Sequence, residues 1–553
     1  MLLPIQFAEL AIVLVVTLVL AWLVGKYITR IYKQEPSRLD RFLNPIENAI
    51  YRITGVDPTH KMGWKEYFLA ALILNIVQMA IAFVILVSQQ YLPLNPQGFP
   101  GFTWDLAFNT VVSFATNTNL QHYAGEQSLS IFSQMTAIQF LQFTSASTGI
   151  CCGIAMARAL VAHSKDMGNF YVDFVRSITR LFIPFCFIAA LISVWLGSPQ
   201  TLNAYALVTT VQGATQKVLM GPVASLDAIM QLGTNGGGFY GANSAYPLEN
   251  PSPASDVFQI LLMLLIPTAL CFVFGEYIGK KRESIPIIVG AYGLFIIDIG
   301  IAFIPTPILV GPGIETRFGG FMSTFWTVVT TAVTTGSVNS SLSGMNPLAI
   351  VSAFMGMFIQ STPGGKGVGL MYMLMYVVIT IFIVGLMSGR TPEYLGMKIT
   401  GRDVKLVMVA FLIHPLAIII PTVIAYASGA VSAIGYNGSS LSFTQILYEF
   451  TTSAANNGSD FLGTTANTPF FNVATAIVIF VGRYGPIACL LALGGSMLGR
   501  KRGATEAALR TDTFSFSFIL IASILILVVL TFFPFLALGP ILAYFQHYPN
   551  FFG

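Results

Sequence analysis

The sequence predicts an all-α polytopic membrane protein with ten transmembrane helices and four related modules in one chain. Three observations carry this. Hydrophobic residues make up 55% of the 553 residues and charged residues only 9%, with a mean hydropathy of +0.75, far from the balance of a soluble domain. The apolar runs are continuous over roughly 20 residues, the length that crosses about 30 Å of hydrocarbon as a helix, and they lack the alternation of a barrel strand. Four short polar segments then interrupt this chain at intervals of roughly 100 to 120 residues, long enough for one small membrane module each.

The spans fall at about 5–25, 66–88, 129–157, 177–197, 257–279, 285–308, 348–389, 406–427, 470–499 and 513–540. The first lacks the basic flank and small-residue cleavage site of a signal peptide, so it is expected to stay as an anchor. The seventh is too long for one straight helix and breaks near Pro363-Gly364-Gly365, so it is expected to be one discontinuous crossing. Lys26, Arg30, Lys33, Arg38, Arg41, Arg52, Lys61 and Lys65 follow the first span. Arg158, Lys165, Arg176 and Arg180 follow the third, and Lys280, Lys281 and Arg282 the fifth. Arg390, Lys398, Arg402 and Lys405 follow the seventh, and Arg500, Lys501, Arg502 and Arg510 the ninth. The alternate loops hold only Lys217 and Arg317. The positive-inside bias therefore predicts a multi-pass protein of a cell (plasma) membrane with both termini and all four polar segments outside. A net charge of +4 resides in these loops and does not argue for a nucleic-acid partner. Cys151, Cys152, Cys186, Cys271 and Cys489 lie in apolar spans without metal-ligand spacing and read as packing residues.

The polar segments are Thr116-Asn117-Thr118-Asn119, Gly233-Thr234-Asn235-Gly236-Gly237-Gly238, Thr334-Thr335-Gly336-Ser337 and Ser453–Ser459, which contains Asn456-Asn457-Gly458. Each follows a short apolar lead, Trp104–Ala115, Ser225–Leu232, Phe321–Val333 or Thr444–Thr452. Leads of some ten residues cannot cross a bilayer, and re-entrant half-helices fit them. Ser442-Phe443-Thr444-Gln445 reads as a capping box for the last. One such stretch alone reads more often as a loop or a close helix contact; four at equivalent places read as the quarters of a selectivity filter. Small residues let the backbones approach one axis, where carbonyls replace a cation's hydration shell, and the half-helices point their negative ends at it. The predicted plan is four pseudo-symmetric outer helix, pore helix and inner helix repeats, plus one extra helix at each end. The division is 1–62 for the first helix and basic loop, 63–165, 166–283, 284–400 and 401–505 for the repeats, and 506–553 for the last helix. The first segment lacks glycine and the third is the most degenerate, so the pore is four-fold only approximately.

Four spans carry polar or charged residues that stand out in lipid: Lys366, Arg483, Asp298 and His414. Lys366 sits in Ser361-Thr362-Pro363-Gly364-Gly365-Lys366-Gly367-Val368-Gly369, where the helix must break. A phosphate-binding loop is excluded by the glycine spacing and by Gly367 where a hydroxyl residue is required. Gly364, Gly365, Lys366 and Gly367 read either as an obstruction below the filter or as a packing kink with a snorkelling lysine. Arg483 reads either as a barrier to cations or as half of an intramembrane ion pair, with Asp298 the conspicuous acid. His414-Pro415 reads as a kink with a hydrogen-bonded histidine. The sequence has no Asp-Lys-Thr-Gly phosphorylation motif, Walker lysine loop, metal signature or nucleophile elbow, and no loop long enough for a nucleotide-binding domain. A polytopic membrane enzyme is thus disfavoured, and energy for uphill transport must come from the membrane potential or another protein.

Thr116–Asn119, Gly233–Phe239, Pro247-Leu248-Glu249-Asn250-Pro251, Gly389-Arg390-Thr391-Pro392-Glu393-Tyr394-Leu395-Gly396 and Ser453–Ser459 resemble the potassium-transporting ATPase A subunit family (KdpA) over essentially the whole chain. The resemblance implies a non-catalytic subunit of a high-affinity ATP-driven uptake complex. It would bind external K+, with no organic cofactor, and pass it through an intramembrane tunnel to the P-type ATPase subunit KdpB. KdpC, KdpF and membrane lipids would be the other partners. It places the K+ filter at Thr116, Asn117, Thr118, Asn119, Thr234, Asn235, Gly236, Thr335, Gly336, Asn456, Asn457 and Gly458. It also places the gating loop at 363–369 and Arg483 on the last repeat's inner helix. The alternative is a stand-alone K+ channel or transporter of the Trk/Ktr kind.

Overall fold

A computed structural model describes residues 2–161, 164–304, 311–436, 439–503 and 509–547 of the protein. Its frame is ten helices long and apolar enough to cross a membrane: Pro4–Lys33, Trp64–Tyr91, Ile131–Ala159, Phe170–Trp195, Pro253–Ile278, Lys281–Ala302, Val368–Ser388, Gly401–Ala427, Pro469–Met497 and Phe514–Gln546. Each matches a predicted span, although residues 305–308 at the predicted end of the sixth, and the predicted boundary at 505/506, lie outside the described residues. The seventh crossing is split as expected, into Pro347–Ile359 and Val368–Ser388. The first half is almost wholly buried and the second is buried from Val368 to Ile381, and a broken helix is tolerated at membrane depth only inside protein.

Four short helices lie between successive spans: Trp104–Ala115, Val223–Leu232, Gly319–Ala332 and Ser440–Ala454. The predicted Trp104 start is met, and the others begin two to four residues early. The fourth is capped by Ser439, whose hydroxyl accepts the Ser442 amide, so the box predicted at Ser442–Gln445 is corrected. The cap lies three residues upstream because Ser442 already occupies the first helical turn.

The first and last spans pack outside this core. Gly25 sits in contact range of the Ala269 carbonyl, 3.0 Å from where its Cβ would lie, which draws the first span against Pro253–Ile278. The last span buries Leu520, Ile524, Val528 and Phe532, and Phe532 stacks on Phe358 at 3.8 Å. The opposite faces expose Ile12, Val15, Val19, Leu530 and Phe533, which suits hydrocarbon and not water.

The side with the lysine and arginine loops is closed by buried charge. Arg180 donates from Nε and Nη2 to Glu47 at 2.6 and 2.9 Å, and from Nη2 to Asn44 at 2.6 Å. This pins a helix, Asp40–Thr54, whose existence the loop's composition did not announce. Arg158 makes a two-pronged pair with Asp173 at 2.8 and 3.0 Å, joined by the Tyr67 hydroxyl at 2.8 Å. On the other side a hairpin pairs Tyr205–Thr209 with Thr215–Leu219 in the loop before the second short helix.

A buried pair broken on one side leaves a desolvated charge. Asp173→Ala should therefore cost about 3–5 kcal/mol, read as a fall in thermal midpoint of the detergent-purified protein. Asp512→Ala, in the exposed Arg510 pair, should cost under about 1 kcal/mol. Equal shifts for the two would contradict this account of the basic side.

Candidate functional site

The four short helices end in one backbone pattern. After Ala115, Leu232, Ala332 and Ala454 the chain takes a cap residue and then a left-handed residue, Asn117, Thr234, Thr334 or Asn456. Two positions on comes a second left-handed residue: Asn119 (φ 56°), Gly236 (88°), Gly336 (96°) or Gly458 (96°). Between them the amides of Thr118, Asn235, Thr335 and Asn457 each donate to the carbonyl five residues back, at 2.8–2.9 Å. The repetition of hydrogen bonds and of φ signs makes the four segments structural equivalents, in spite of their different letters.

These segments meet one another in a ring. A Cβ on Gly236 would collide with the Thr335 carbonyl, one on Gly336 with that of Asn457, and one on Gly458 with that of Thr118. The ring closes where the Asn119 amide donates to the Asn235 carbonyl at 2.5 Å. Asn119 stands where the other quarters have glycine, and the space its Cβ takes is left by Gly237, whose own Cβ would be 2.8 Å from it. All twelve predicted filter residues are thus brought together and buried. The structure adds Thr334, which the degenerate third segment hid, and shows Thr116 to be a cap residue equivalent to Gly233, Val333 and Ala455.

Side chains then fix the ring from outside. Asn457 donates to the Thr330 carbonyl at 2.9 Å, and Asn235 to that of Ile229 at 2.9 Å. Trp326 Nε1 holds the Ser337 carbonyl at 2.9 Å, Tyr448 meets Ser459 at 2.7 Å, and Gln142 holds the Gly237 carbonyl at 2.7 Å. Gln142, Trp326 and Tyr448 were missed in the sequence because nothing distinguishes a polar or aromatic helix residue that faces the ring from one that does not. The Thr234 and Thr335 hydroxyl oxygens and Asn119 Oδ1 have no hydrogen-bond partner among the described residues, although all are buried.

The predicted loop lies at the end of this ring where the third short helix ends. Gly364 donates to the Ala332 carbonyl at 2.9 Å, and Gly365 abuts Thr334 Oγ1. From there the loop reaches the first inner helix, where a Cβ on Gly149 would lie 2.6 Å from the Lys366 carbonyl and one on Gly153 2.6 Å from Gly367 Cα. Backbone thus runs from the third quarter to the first. The Lys366 side chain turns away, with Nζ 5.3 Å from the Phe182 ring centre, and at 2% exposure it does not snorkel. Arg483 reaches the same place, with Nη2 2.7 Å from the Gly149 Cβ position. It does not pair with Asp298: that residue lies by Ser352, whose hydroxyl donates to the Asp298 backbone carbonyl, and both its carboxylate oxygens lack a partner among the described residues. The two fall on helices of different repeats. His414 is hydrogen-bonded as expected, to Gln360 at 2.9 Å, which ties its helix to the start of the loop.

The model of the family described as potassium-transporting ATPase A subunit (KdpA) matches residues 11–545. The chain is 44% identical to the potassium-transporting ATPase potassium-binding subunit of Alicyclobacillus acidocaldarius, over 96% of this chain and 98% of that one. It is 42% identical to the protein of the same description from Caldanaerobacter subterraneus subsp. tengcongensis, over 97% and 98%. Among solved structures it is similar in fold to the potassium transporter TrkH of Vibrio parahaemolyticus, with a TM-score of 0.52, 15% identity, and coverage of 87% of this chain and 97% of that chain.

Since the Gly336 contact is with backbone, no side chain can rotate away to admit a methyl group. Gly336→Ala should lower the thermal midpoint and speed amide exchange in residues 330–337 and 452–459 together. Exchange confined to the third segment alone would contradict a closed ring.

Proposed function

This chain belongs to the potassium-transporting ATPase A subunit family (KdpA), and from that premise we propose that it is the K+-selecting subunit of an ATP-driven uptake complex in a prokaryotic cell membrane. The observation that carries the reading is the ring: four equivalent backbones round one axis, each at the C-terminal end of a short helix. Alternation of positive and negative φ along each segment can turn successive carbonyls toward a common line, where they can replace the hydration shell of K+. The helix ends add partial negative charge at the same place. The residues proposed to line the K+ path are Thr116–Asn119, Thr234–Gly236, Thr335–Gly336 and Asn456–Gly458, together with Thr334. The segments 63–165, 166–283, 284–400 and 401–505 then each supply one quarter.

The basic loops favour an orientation with both termini and the filter outside. The loop at 360–367 and Arg483 support a floor beneath the filter, in which backbone and a guanidinium with no acidic partner among the described residues oppose direct passage of a cation. K+ that cannot go straight through must leave sideways. In this proposal it passes through the membrane to a P-type ATPase partner, KdpB, with KdpC and KdpF completing the complex. ATP is hydrolysed on that partner and no organic cofactor is needed on this chain. Co-purification of such an ATPase with the tagged chain from its native host separates this reading from a stand-alone channel or transporter, which would purify alone.

Gly236→Asp puts a charged side chain where the Thr335 carbonyl leaves no room. It should weaken K+ affinity by about tenfold or more, about 1.4 kcal/mol or more, and reduce discrimination against Na+ and Rb+. Unchanged uptake at micromolar K+ would overturn the filter assignment. Deleting Pro363–Gly369 should raise passive K+ flux through the purified chain in liposomes, and unchanged flux would overturn the floor.

A further inference from the structure

Just beyond the ring, the first and fourth quarters are joined by a histidine with no exposed surface. His122, three residues past Asn119, meets Asn472 Oδ1 through Nδ1 at 2.7 Å and Glu449 Oε1 through Nε2 at 3.0 Å. The side chains of His122 and Glu449 are both 0% exposed. Glu449 is on the fourth short helix and Asn472 on the fourth inner helix, so this contact spans the seam at which Gly458 packs on the Thr118 carbonyl.

The hydrogen-bond chain fixes its own protons. Asn472 Nδ2 donates to Asp105 and to Asn467, both at 2.9 Å, so Asn472 Oδ1 must be an acceptor. His122 Nδ1 therefore carries a hydrogen, and Nε2 faces a carboxylate oxygen. A good contact there needs one more proton, held by the imidazole or by Glu449. Without it, a nitrogen lone pair faces an anion at 3.0 Å with no water between them.

We propose that His122 and Glu449 form a proton-held clasp that positions the first and fourth quarters, so that K+ affinity at the ring requires the clasp to be protonated. The inference rests on the reading of the ring as a K+ filter. The charged groups facing the imidazole are Glu449 from the short helix and Asp460 from the loop after the fourth quarter, with Asp105 of the first short helix one hydrogen bond further away. All three are acidic. Burial alone would lower the affinity of His122 for its proton, but Glu449 and Asp460 outweigh burial and hold the imidazole above its ordinary value. A raised value gives a definite sign: the clasp is complete at acid and neutral external pH and is lost as pH rises through that value.

The test is K+ binding by titration calorimetry on the full-length purified chain between pH 6 and pH 9.5. The wild type should lose affinity at the alkaline end by roughly five- to tenfold, the size of a modest coupling free energy. Glu449→Gln is the decisive variant. Its amide can donate to the bare Nε2, so the neutral histidine is accommodated, and neutral-pH affinity should be kept while the alkaline loss disappears. His122→Gln should also flatten the profile. A flat wild-type profile, or a Glu449→Gln variant with the wild-type slope, overturns the clasp. Absence of K+ binding at every pH would instead overturn the filter reading on which the clasp rests.

Discussion

Four strands of backbone meeting in van der Waals contact, with no side chain between them at three of the four seams, is the constraint on which the other features depend. Gly236, Gly336 and Gly458 hold left-handed conformations and abut the next quarter's carbonyl, so neither backbone freedom nor the small side chain can be given up. The fourth seam solves the same problem differently. Asn119, a residue type that tolerates the left-handed region better than most, fills it and bonds across with its amide. The hydrogen bonds from Asn457, Asn235, Trp326, Tyr448 and Gln142 keep these strands from relaxing outward. Pre-organisation of this kind allows a site to discriminate among ions without paying for its own ordering on each binding event.

The same ring explains why the seventh crossing is broken. A continuous helix could not pass from Pro347 to Ser388 and also place Gly364 under Ala332 and Gly367 against Gly149. The break lets backbone cross between quarters, and the glycines of that loop sit where two inner helices leave no space. In the proposed reading, a ring with this loop lying beneath it is a receptor for an ion and not a conduit. That agrees with a chain that has no phosphorylation motif of its own and belongs to a family of ATPase subunits.

Much of this was legible in the sequence because the membrane simplifies the physics. Continuous apolar runs could only be helices, and the polar interruptions at Thr116–Asn119 and Gly233–Gly238 stood out against them. The alignment of quarters was less accessible. Thr334 and Thr335 look interchangeable, and only the bond from the Thr335 amide to the Thr330 carbonyl sets the register. The helix Asp40–Thr54 depends on Arg180, more than a hundred residues away in sequence, which reaches back to Glu47 and Asn44. Asp298 and Arg483 were each conspicuous, yet only tertiary placement shows that they lie apart. His122 and Glu449 looked like ordinary loop and helix residues until the fold put them 3.0 Å from each other.

The central claim is that the four segments form one site for K+. Anomalous diffraction from crystals of the purified protein with thallium(I), a heavy-atom mimic of K+, tests it directly. Anomalous density should lie on the axis enclosed by residues 117–119, 234–236, 334–336 and 456–458, and added K+ should displace it. Density confined to other parts of the molecule, or density on that axis that K+ does not compete away, would contradict the account.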